Sequence, residues 1–169
     1  LSLRRQRQMC IRDRFDKVEC DNYDRIDENK IKRASTIIFS PGPGNPKDYP
    51  TTSKIYKKFK GKKKIIGICL GFQHILYCEG AKIIEQKKIY HGFQSNVKVV
   101  NDKSLFRKGK KFKVGRYHSL KLKEPFKSNN FEITMRCLTS KVAMAFENNK
   151  EKIYGFQFHP ESFLTINGK

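Results

Sequence analysis

Short apolar runs separated by polar loops mark the first half of the chain. Residues 36–39 and 64–68 are β-branched runs of strand length, and each is followed closely by glycine or proline. Residues 51–60 and 70–78 carry apolar side chains at helical spacing, and the polar stretch 27–34 is also predicted to be helical. Because strands and helices alternate with short connections, the pattern predicts an α/β fold with parallel strands packed under helices.

The second half of the chain is predicted to be rich in strands. They are expected at residues 96–100, 112–118, 131–138, 142–146 and 153–158, and one more short strand is expected at 17–20. No internal repeat and no low-complexity linker interrupts the sequence. A length of 169 residues therefore fits one domain that buries its core without disulfide or metal support.

The composition is that of a folded protein rather than a disordered tail, since 37% of the residues are hydrophobic. No apolar run approaches the roughly 18 residues of a membrane helix, so no membrane partner is expected. Nothing near the start resembles a secretion signal. The five cysteines are an odd number without a Cys-x-x-Cys pair, which predicts reduced thiols and a cytoplasmic location.

The formal net charge of +21 is unevenly distributed. Residues 1–14 hold five of the ten arginines and no lysine, whereas all 27 lysines lie in residues 15–169. The segment Met9 to Arg14 resembles a translated sequencing-adapter end, so residues 1–14 are predicted to be a non-native extension. Setting aside their five arginines and one aspartate leaves +17 on the domain at 15–169. An arginine-rich arm that binds phosphates is the alternative.

The remaining charge raises a nucleic-acid-binding module as an alternative function of a different class. The densest basic cluster comprises Lys57, Lys58, Lys60, Lys62, Lys63 and Lys64. Binding would need aromatic side chains interleaved with these lysines on one exposed face, but the cluster surrounds a predicted helix end and a buried strand. Solvated lysines are the simpler interpretation, and no specific nucleic-acid partner is expected.

The segment Gly67-Ile68-Cys69-Leu70-Gly71 carries the sharpest chemical signal. It follows a predicted strand and opens a predicted helix, which is the context of a nucleophile elbow. The flanking glycines leave room for a tight turn, and a helix N-terminus favours the thiolate of Cys69. A buried cysteine at a glycine-bounded strand end explains this pentapeptide alone equally well.

His159 and Glu161 supply the groups that a thiol nucleophile needs. The strand at 153–158 delivers His159 at its end, and Pro160 stops the ladder immediately. Glu161 can hold the imidazole through its far nitrogen, which completes a Cys-His-Glu triad. The loop Ser40 to Pro46 adds Gly42 and Gly44, whose uncrowded backbone N–H groups suit an oxyanion hole.

A zinc site is the competing use of cysteine and histidine. Cys69, His74 and Cys78 share one predicted helix, but His74 and Cys78 point about 140° and 180° away from Cys69. The three side chains cannot converge on one ion, so no metal is expected. His74 and Cys78 are interpreted as packing residues.

Together these motifs resemble the class I, or triad, glutamine amidotransferases. The resemblance spans residues 15–169 and rests on Ser-Pro-Gly-Pro-Gly-Asn-Pro at 40–46, Gly-Ile-Cys-Leu-Gly-Phe-Gln at 67–73, His-Gly at 91–92, Arg-Tyr-His-Ser-Leu at 116–120 and Gln-Phe-His-Pro-Glu-Ser at 157–162. It is closest to the glutaminase subunits of anthranilate synthase and aminodeoxychorismate synthase. The family fold is a flavodoxin-like three-layer sandwich, with a mostly parallel sheet between helices on both faces.

The resemblance implies that Cys69 attacks the carboxamide of L-glutamine with help from His159, which Glu161 orients. The positions that match glutamine-binding residues are Gly42, Pro43, Gly44, Leu70, Gln73, Ser119 and Leu120. Ammonia would pass to the chorismate-using subunit of an anthranilate synthase, for tryptophan biosynthesis. A subunit of aminodeoxychorismate synthase, for folate biosynthesis, or one that serves both synthases is the alternative. No cofactor is implied here, and Mg²⁺ is expected on the partner. A γ-glutamyl hydrolase or peptidase is a further alternative for the same elbow.

The chain departs from the family most at its ends. Family members begin with a strand and helix that are missing upstream of Phe15, and they continue into another helix beyond Gly168-Lys169. The chain is therefore predicted to be truncated at both ends. Since loss of a central strand exposes apolar surface and unpaired backbone, residues 1–169 expressed alone are expected to aggregate or lack glutaminase activity.

Overall fold

A computed structural model describes residues 17–166. The helices are α1 (Glu28–Arg33), α2 (Pro50–Phe59) and α3 (Leu70–Cys78), with a 3-10 turn at Pro46–Asp48. The strands are β1 (Thr36–Phe39), β2 (Lys64–Ile68), β3 (Ile83–Glu85), β4 (Phe93–Val99), β5 (Lys111–Arg116), β6 (Leu120–Leu122), β7 (Glu132–Cys137), β8 (Ala143–Asn148) and β9 (Ile153–Phe156). The predicted non-native extension at 1–14 and the chain end at Gly168-Lys169 lie outside the described residues.

The main sheet has seven strands in the order β1-β2-β9-β8-β7-β4-β5. Strands β1, β2 and β9 run parallel, and all other neighbours pair antiparallel. The α/β class is confirmed, but the prediction of a mostly parallel sheet is wrong for the second half. Links of five and four residues join β7, β8 and β9, and a parallel crossover needs about a dozen residues.

Local sequence explains the predicted helices. The Asp27 side chain caps α1 by accepting from the Asn29 N–H at 2.9 Å. Helix α2 begins at Pro50, whose missing N–H costs nothing in a first turn. Its buried residues are Ile55, Tyr56 and Phe59, which are the apolar residues at helical spacing within the predicted helix at 51–60.

Two hydrophobic clusters hold the sheet. Helix α3 packs on β1, β2 and β9, and the first cluster joins it to α2 through residues such as Ile65, Phe72 and Ile75. The second cluster lies in the antiparallel half and includes Val97, Val114, Met135 and Met144. The clusters meet at β8, since Ala143 and Phe146 belong to the first and Met144 and Ala145 to the second.

The opposite face of the parallel strands is less covered. By strand alternation it carries Ile38, Ile66 and Phe156, which are half-buried. The sequence prediction placed helices on both faces, whereas the helices described between residues 17 and 166 pack on one.

One predicted short strand is absent from the described residues, and two short strands were not predicted. Residues 17–20 form no strand, because only Val18 is apolar there and the segment is mostly exposed. A small two-stranded sheet, β3 paired with β6, was not predicted. Its strands have three residues each and meet across nearly 40 residues of chain (Ile83 opposite Leu122), so no local pattern marks them.

Candidate active site

Cys69 occupies the turn between β2 and α3 in a conformation that non-glycine residues rarely adopt. Its φ is 54° and its ψ −100°. Such backbone strain persists only where surrounding contacts impose it, and it concentrates at functional positions. The Cys69 N–H donates to the Phe156 carbonyl at 2.8 Å, and the Gln73 N–H donates to the Cys69 carbonyl at 3.1 Å. These bonds tie the elbow to the end of β9 and to the first turn of α3.

The flanking glycines are required because the chain packs on itself at this turn. A Cβ at Gly71 would lie 2.1 Å from the Phe39 carbonyl oxygen, and one at Gly67 would lie 2.5 Å from the Gly71 carbonyl oxygen. Real Cβ atoms do not approach backbone this closely. The two glycines therefore let α3 begin directly against β1 and β2, which fixes where the Cys69 side chain stands.

His159 and Glu161 form a buried pair just beyond β9. His159 Nδ1 donates to Glu161 Oε1 at 2.7 Å, and their side chains are 1% and 6% exposed. The His159 N–H donates to the Gly115 carbonyl at 3.0 Å, which holds the backbone in place. Within the described chain, the opposite ring nitrogen Nε2 is buried without a hydrogen-bond partner. Because Nδ1 carries the proton, Nε2 of His159 can accept a proton from another group.

One cavity of about 160 Å³ brings the predicted substrate positions together with the thiol. It is lined by Gly42, Pro43, Gly44, Cys69, Leu70, Gln73, Tyr117, His118, Ser119 and Leu120. All seven residues predicted to bind glutamine are in this set, although they come from three separate segments. Their role in binding glutamine stays a prediction.

The loop on one side of this cavity is held rigid. The Tyr49 hydroxyl donates to the Pro43 carbonyl at 2.6 Å, and Asn45 with Asp48 forms a reciprocal capping box. Gly44 has a φ of +76°, and Gly42 lies against Leu70 so closely that a Cβ would meet its Cδ2 at 2.9 Å. The loop is therefore preorganised beside the start of α3.

Three residues at the site had no role in the sequence-based prediction. The Tyr117 ring meets the His159 ring edge-on, with centroids 4.9 Å apart. Gln157 accepts from Gln73 Nε2 at 3.0 Å, and its own amide nitrogen lies 3.9 Å from the Cys69 sulfur. His118 lines the cavity. All three lie inside the motifs that carry the family resemblance, and that position was the feature of the sequence that could have pointed to them.

Two histidines near the site are buried in a neutral form. Burial lowers the pKa of His74 to about 4, and burial together with the Arg116 charge lowers the pKa of His118 to about 3. Because His74 is neutral and contacts Ser53 Oγ at 3.2 Å, it acts as a packing residue rather than a charged one.

We expect acid to destabilise the fold through His74 and His118. Each binds a proton more weakly in the folded state than its ordinary pKa of 6.5 allows, so its contribution is complete above pH 6.5 and is lost as pH falls toward 4 or 3. Going from pH 7 to pH 5 should lower the free energy of unfolding by about 2 kcal/mol per histidine. Urea unfolding at both pH values measures this change.

Two variants in α3 distinguish the effect of His74 protonation on stability from the effect of altered packing. His74→Leu should remove about half of the pH-dependent loss. Leu76→Val, at a fully buried neighbour without a titratable group, should lower stability equally at both pH values. An unchanged pH dependence in His74→Leu would show that this histidine is not buried neutral.

The described part of the chain offers little support for a metal or for nucleic acid. Between residues 17 and 166, no group of three His, Cys, Asp or Glu side chains is placed to hold a metal ion. In the basic cluster, Lys60 pairs with Glu79 at 2.7 Å, Lys58 pairs with Glu28, and Lys63 donates to two backbone carbonyls. Half of the cluster is thus engaged within the chain.

The family model for class I glutamine amidotransferases matches residues 5–169. The chain belongs to the class I glutamine amidotransferase family. It is 41% identical over 141 residues to anthranilate synthase component 2 of Lactococcus lactis, a match covering 83% of this chain and 71% of that protein. The same-named protein of Helicobacter pylori strain 26695 is 37% identical over 141 residues, with the same coverage.

Solved structures of the amidotransferase fold agree with the architecture. A protein of Thermoplasma acidophilum described as part of a GMP synthase superposes with a TM-score of 0.81 at 20% identity, covering 99% of this chain and 83% of that one. A glutamine amidotransferase of Thermotoga maritima gives a TM-score of 0.65 at 21% identity, covering 78% and 58%. At such identities the likeness shows the fold alone. In the described part of this amidotransferase, no helix has the length and apolarity to cross a membrane.

Proposed function

We propose that this chain is the glutamine-hydrolysing subunit of an anthranilate synthase. It would convert L-glutamine to glutamate and ammonia and pass the ammonia to a chorismate-using partner subunit, in the cytoplasm. The observation that carries the proposal is the cavity in which the strained Cys69 elbow meets every predicted glutamine contact. The names of the relatives from Lactococcus lactis and Helicobacter pylori support the anthranilate branch.

The proposed chemistry begins at Cys69. His159 Nε2 takes the thiol proton, and the thiolate attacks the carboxamide carbon of glutamine. The resulting oxyanion accepts hydrogen bonds from backbone N–H groups of Leu70 and of the loop at Gly42. Cys69 cannot serve as that donor, since its own N–H is bonded to Phe156.

The second half of the reaction returns the enzyme to its starting state. His159 gives its proton to the departing nitrogen, so ammonia leaves and a thioester remains on Cys69. Water then attacks the thioester carbon, with His159 as the base, and glutamate is released. Glu161 stabilises the imidazolium formed in each step by accepting from Nδ1. No metal takes part in this scheme; Mg²⁺ belongs to the proposed partner.

Coupled assays with the synthase partner test the proposal. The full-length protein, purified with its partner, should form anthranilate from chorismate and glutamine, and amide-¹⁵N should appear in the product. Ammonium salt should replace glutamine and serves as the control for the partner. Formation of aminodeoxychorismate alone would assign the chain to the folate branch. Hydrolysis of γ-glutamyl peptides without glutamine-dependent synthesis would refute the proposed role beside a synthase.

Glu161→Gln should lower kcat for glutamine hydrolysis by about 10²-fold or more and change KM little. The amide can still accept from His159 Nδ1, but its lost charge no longer stabilises the imidazolium. Steady-state glutaminase assays measure both constants. The matched control is Glu132→Gln on β7, where the carboxylate pairs with Lys103 away from the cavity. A kcat of Glu161→Gln near that of the parent enzyme would show that the Glu161 charge does not contribute to catalysis.

A further inference from the structure

Arg116 is a buried cation that pairs with no carboxylate in the part of the chain that the structure describes. It ends β5 with 0% exposure, and no carboxylate among residues 17–166 forms a salt bridge with it. One guanidinium nitrogen, Nη2, has no hydrogen-bond partner in that part of the chain. Removing an arginine from water without a counter-ion is costly, so its position needs a specific reason.

Three contacts hold the guanidinium. Its central carbon lies 3.5 Å from the centroid of the Tyr90 ring, which is a close cation–π contact. Nη1 donates to the Cys137 sulfur at 3.6 Å, and Nε donates to His118 Nε2 at 3.1 Å. Tyr90 and Cys137 thus hold the guanidinium in place, and its third contact is a hydrogen bond to His118, which lines the cavity.

Two bonds of His118 determine which of its ring nitrogens carries the proton. Because Nε2 accepts from Arg116, the proton sits on Nδ1, which donates to the Leu120 carbonyl at 2.7 Å. The same carbonyl accepts from Gln73 Nε2 at 3.3 Å. Gln86 Nε2 donates to the His118 carbonyl at 2.6 Å and holds the backbone there. Arg116 is therefore connected through His118 to two cavity residues, Leu120 and Gln73.

We propose that Arg116 is a positioning residue for glutamine: through His118 it fixes the Ser119–Leu120 wall and the Gln73 side chain of the cavity. This inference rests on the proposed function, because it concerns the substrate of that site. Arg116 is not in the cavity lining and does not act on the reacting atoms. Its loss should therefore weaken binding in the ground state and the transition state alike, which raises KM and leaves kcat nearly unchanged.

A purely structural role predicts a different outcome. If Arg116 only filled space, methionine of similar length would replace it without loss, since apolar residues often replace buried charges neutrally or favourably. Arg116→Met then separates the two explanations, because only the positioning role links this residue to glutamine affinity.

Kinetics of four variants test the proposal in the full-length protein with its synthase partner. Arg116→Met and His118→Leu should each raise KM for glutamine about 10-fold or more, with kcat within about 3-fold of the parent enzyme. His118→Gln should restore KM to within about 3-fold, because one amide can accept from Arg116 and donate to Leu120. Arg136→Met is the matched control on β7; its guanidinium binds Glu124 outside the cavity, and KM should not change.

A spectroscopic readout makes the test independent of activity. Imidazole ¹⁵N NMR should show His118 with a protonated Nδ1 and a bare Nε2, and Arg116→Met should shift the Nε2 resonance, because Nε2 loses the hydrogen bond from Arg116 Nε. Unchanged KM values in Arg116→Met and His118→Leu, or a parallel fall in kcat, would overturn the inference. If the parent protein hydrolyses no glutamine, the proposed function fails, and an unshifted His118 Nε2 resonance in Arg116→Met would still refute the Arg116–His118 link.

Discussion

Cys69→Ser should abolish glutamine hydrolysis, with kcat lowered by about 10⁴-fold or more. A serine hydroxyl keeps the geometry of the elbow but is a far weaker nucleophile than a thiolate at neutral pH. Anthranilate formation from ammonium and chorismate should remain at the parent rate, because that reaction belongs to the partner. Parallel assays with glutamine and with ammonium measure the two activities on one preparation.

Cys78→Ser is the control for this substitution. Cys78 ends α3, the helix that Cys69 introduces, and it lies half-buried outside the cavity. Glutaminase activity should persist in that variant. Retained activity in Cys69→Ser would refute the nucleophile, whereas loss of both activities would mean that the substitution disturbed docking to the partner.

Gly71→Ala should destabilise the protein by about 3 kcal/mol or more and lower its melting temperature by roughly 6–12 °C. Alanine is the better helix former by about 1 kcal/mol, so propensity alone predicts a gain at this position in α3. The close packing decides otherwise, because the new methyl group would lie 2.1 Å from the Phe39 carbonyl oxygen. Relief requires α3 to move from β1, which also displaces the elbow and should reduce kcat. Thermal unfolding and glutaminase assays measure both effects.

Gly109→Asn separates steric conflict from loss of a special backbone conformation. Gly109 has a φ of +88°, and no atom of the described residues lies within 4 Å of the position that a Cβ would take. That variant should lose no more than about 1 kcal/mol and keep its activity. If Gly71→Ala proves as stable as the parent protein, the elbow and β1 do not pack as closely as the structure indicates.

Most regular elements of the first half could be predicted from sequence. The strand at 64–68 and the helix at 70–78 have the predicted bounds, because a β-branched run and a helical repeat each determine structure locally. The second half was harder. Its strands in the seven-stranded sheet were located to within a few residues, but their direction depended on the short links between β7, β8 and β9. That is a property of connections rather than of apolar pattern.

The residue types of the candidate site were also visible in the sequence. Cys69, His159 and Glu161 stand out because each follows a predicted strand with glycine or proline beside it. Their grouping was an inference from motif order. What sequence did not suggest was the link from Gln73 to Gln157 and on to the Cys69 sulfur, since it joins residues 84 positions apart.

Arg116 shows most clearly the difference between what the sequence predicts and what only the tertiary structure reveals. In the sequence it is one of ten arginines and stands at the start of a motif whose other members were assigned roles or left as neighbours. Its burial, its contact with Tyr90 and its bond to His118 exist only because β5 ends beside the segment at 90–92. No local pattern distinguishes a buried arginine from a solvated one.

The sequence by itself therefore determined the α/β class, the elbow at Cys69 and the identity of the groups available for chemistry, because spacing and turn residues act over a few positions. The tertiary structure alone decided the mixed direction of the sheet, the cavity lined by three separate segments, and the connection of Arg116 to that cavity. These features depend on contacts between distant parts of the chain, whose burial and geometry are set only when the sheet assembles.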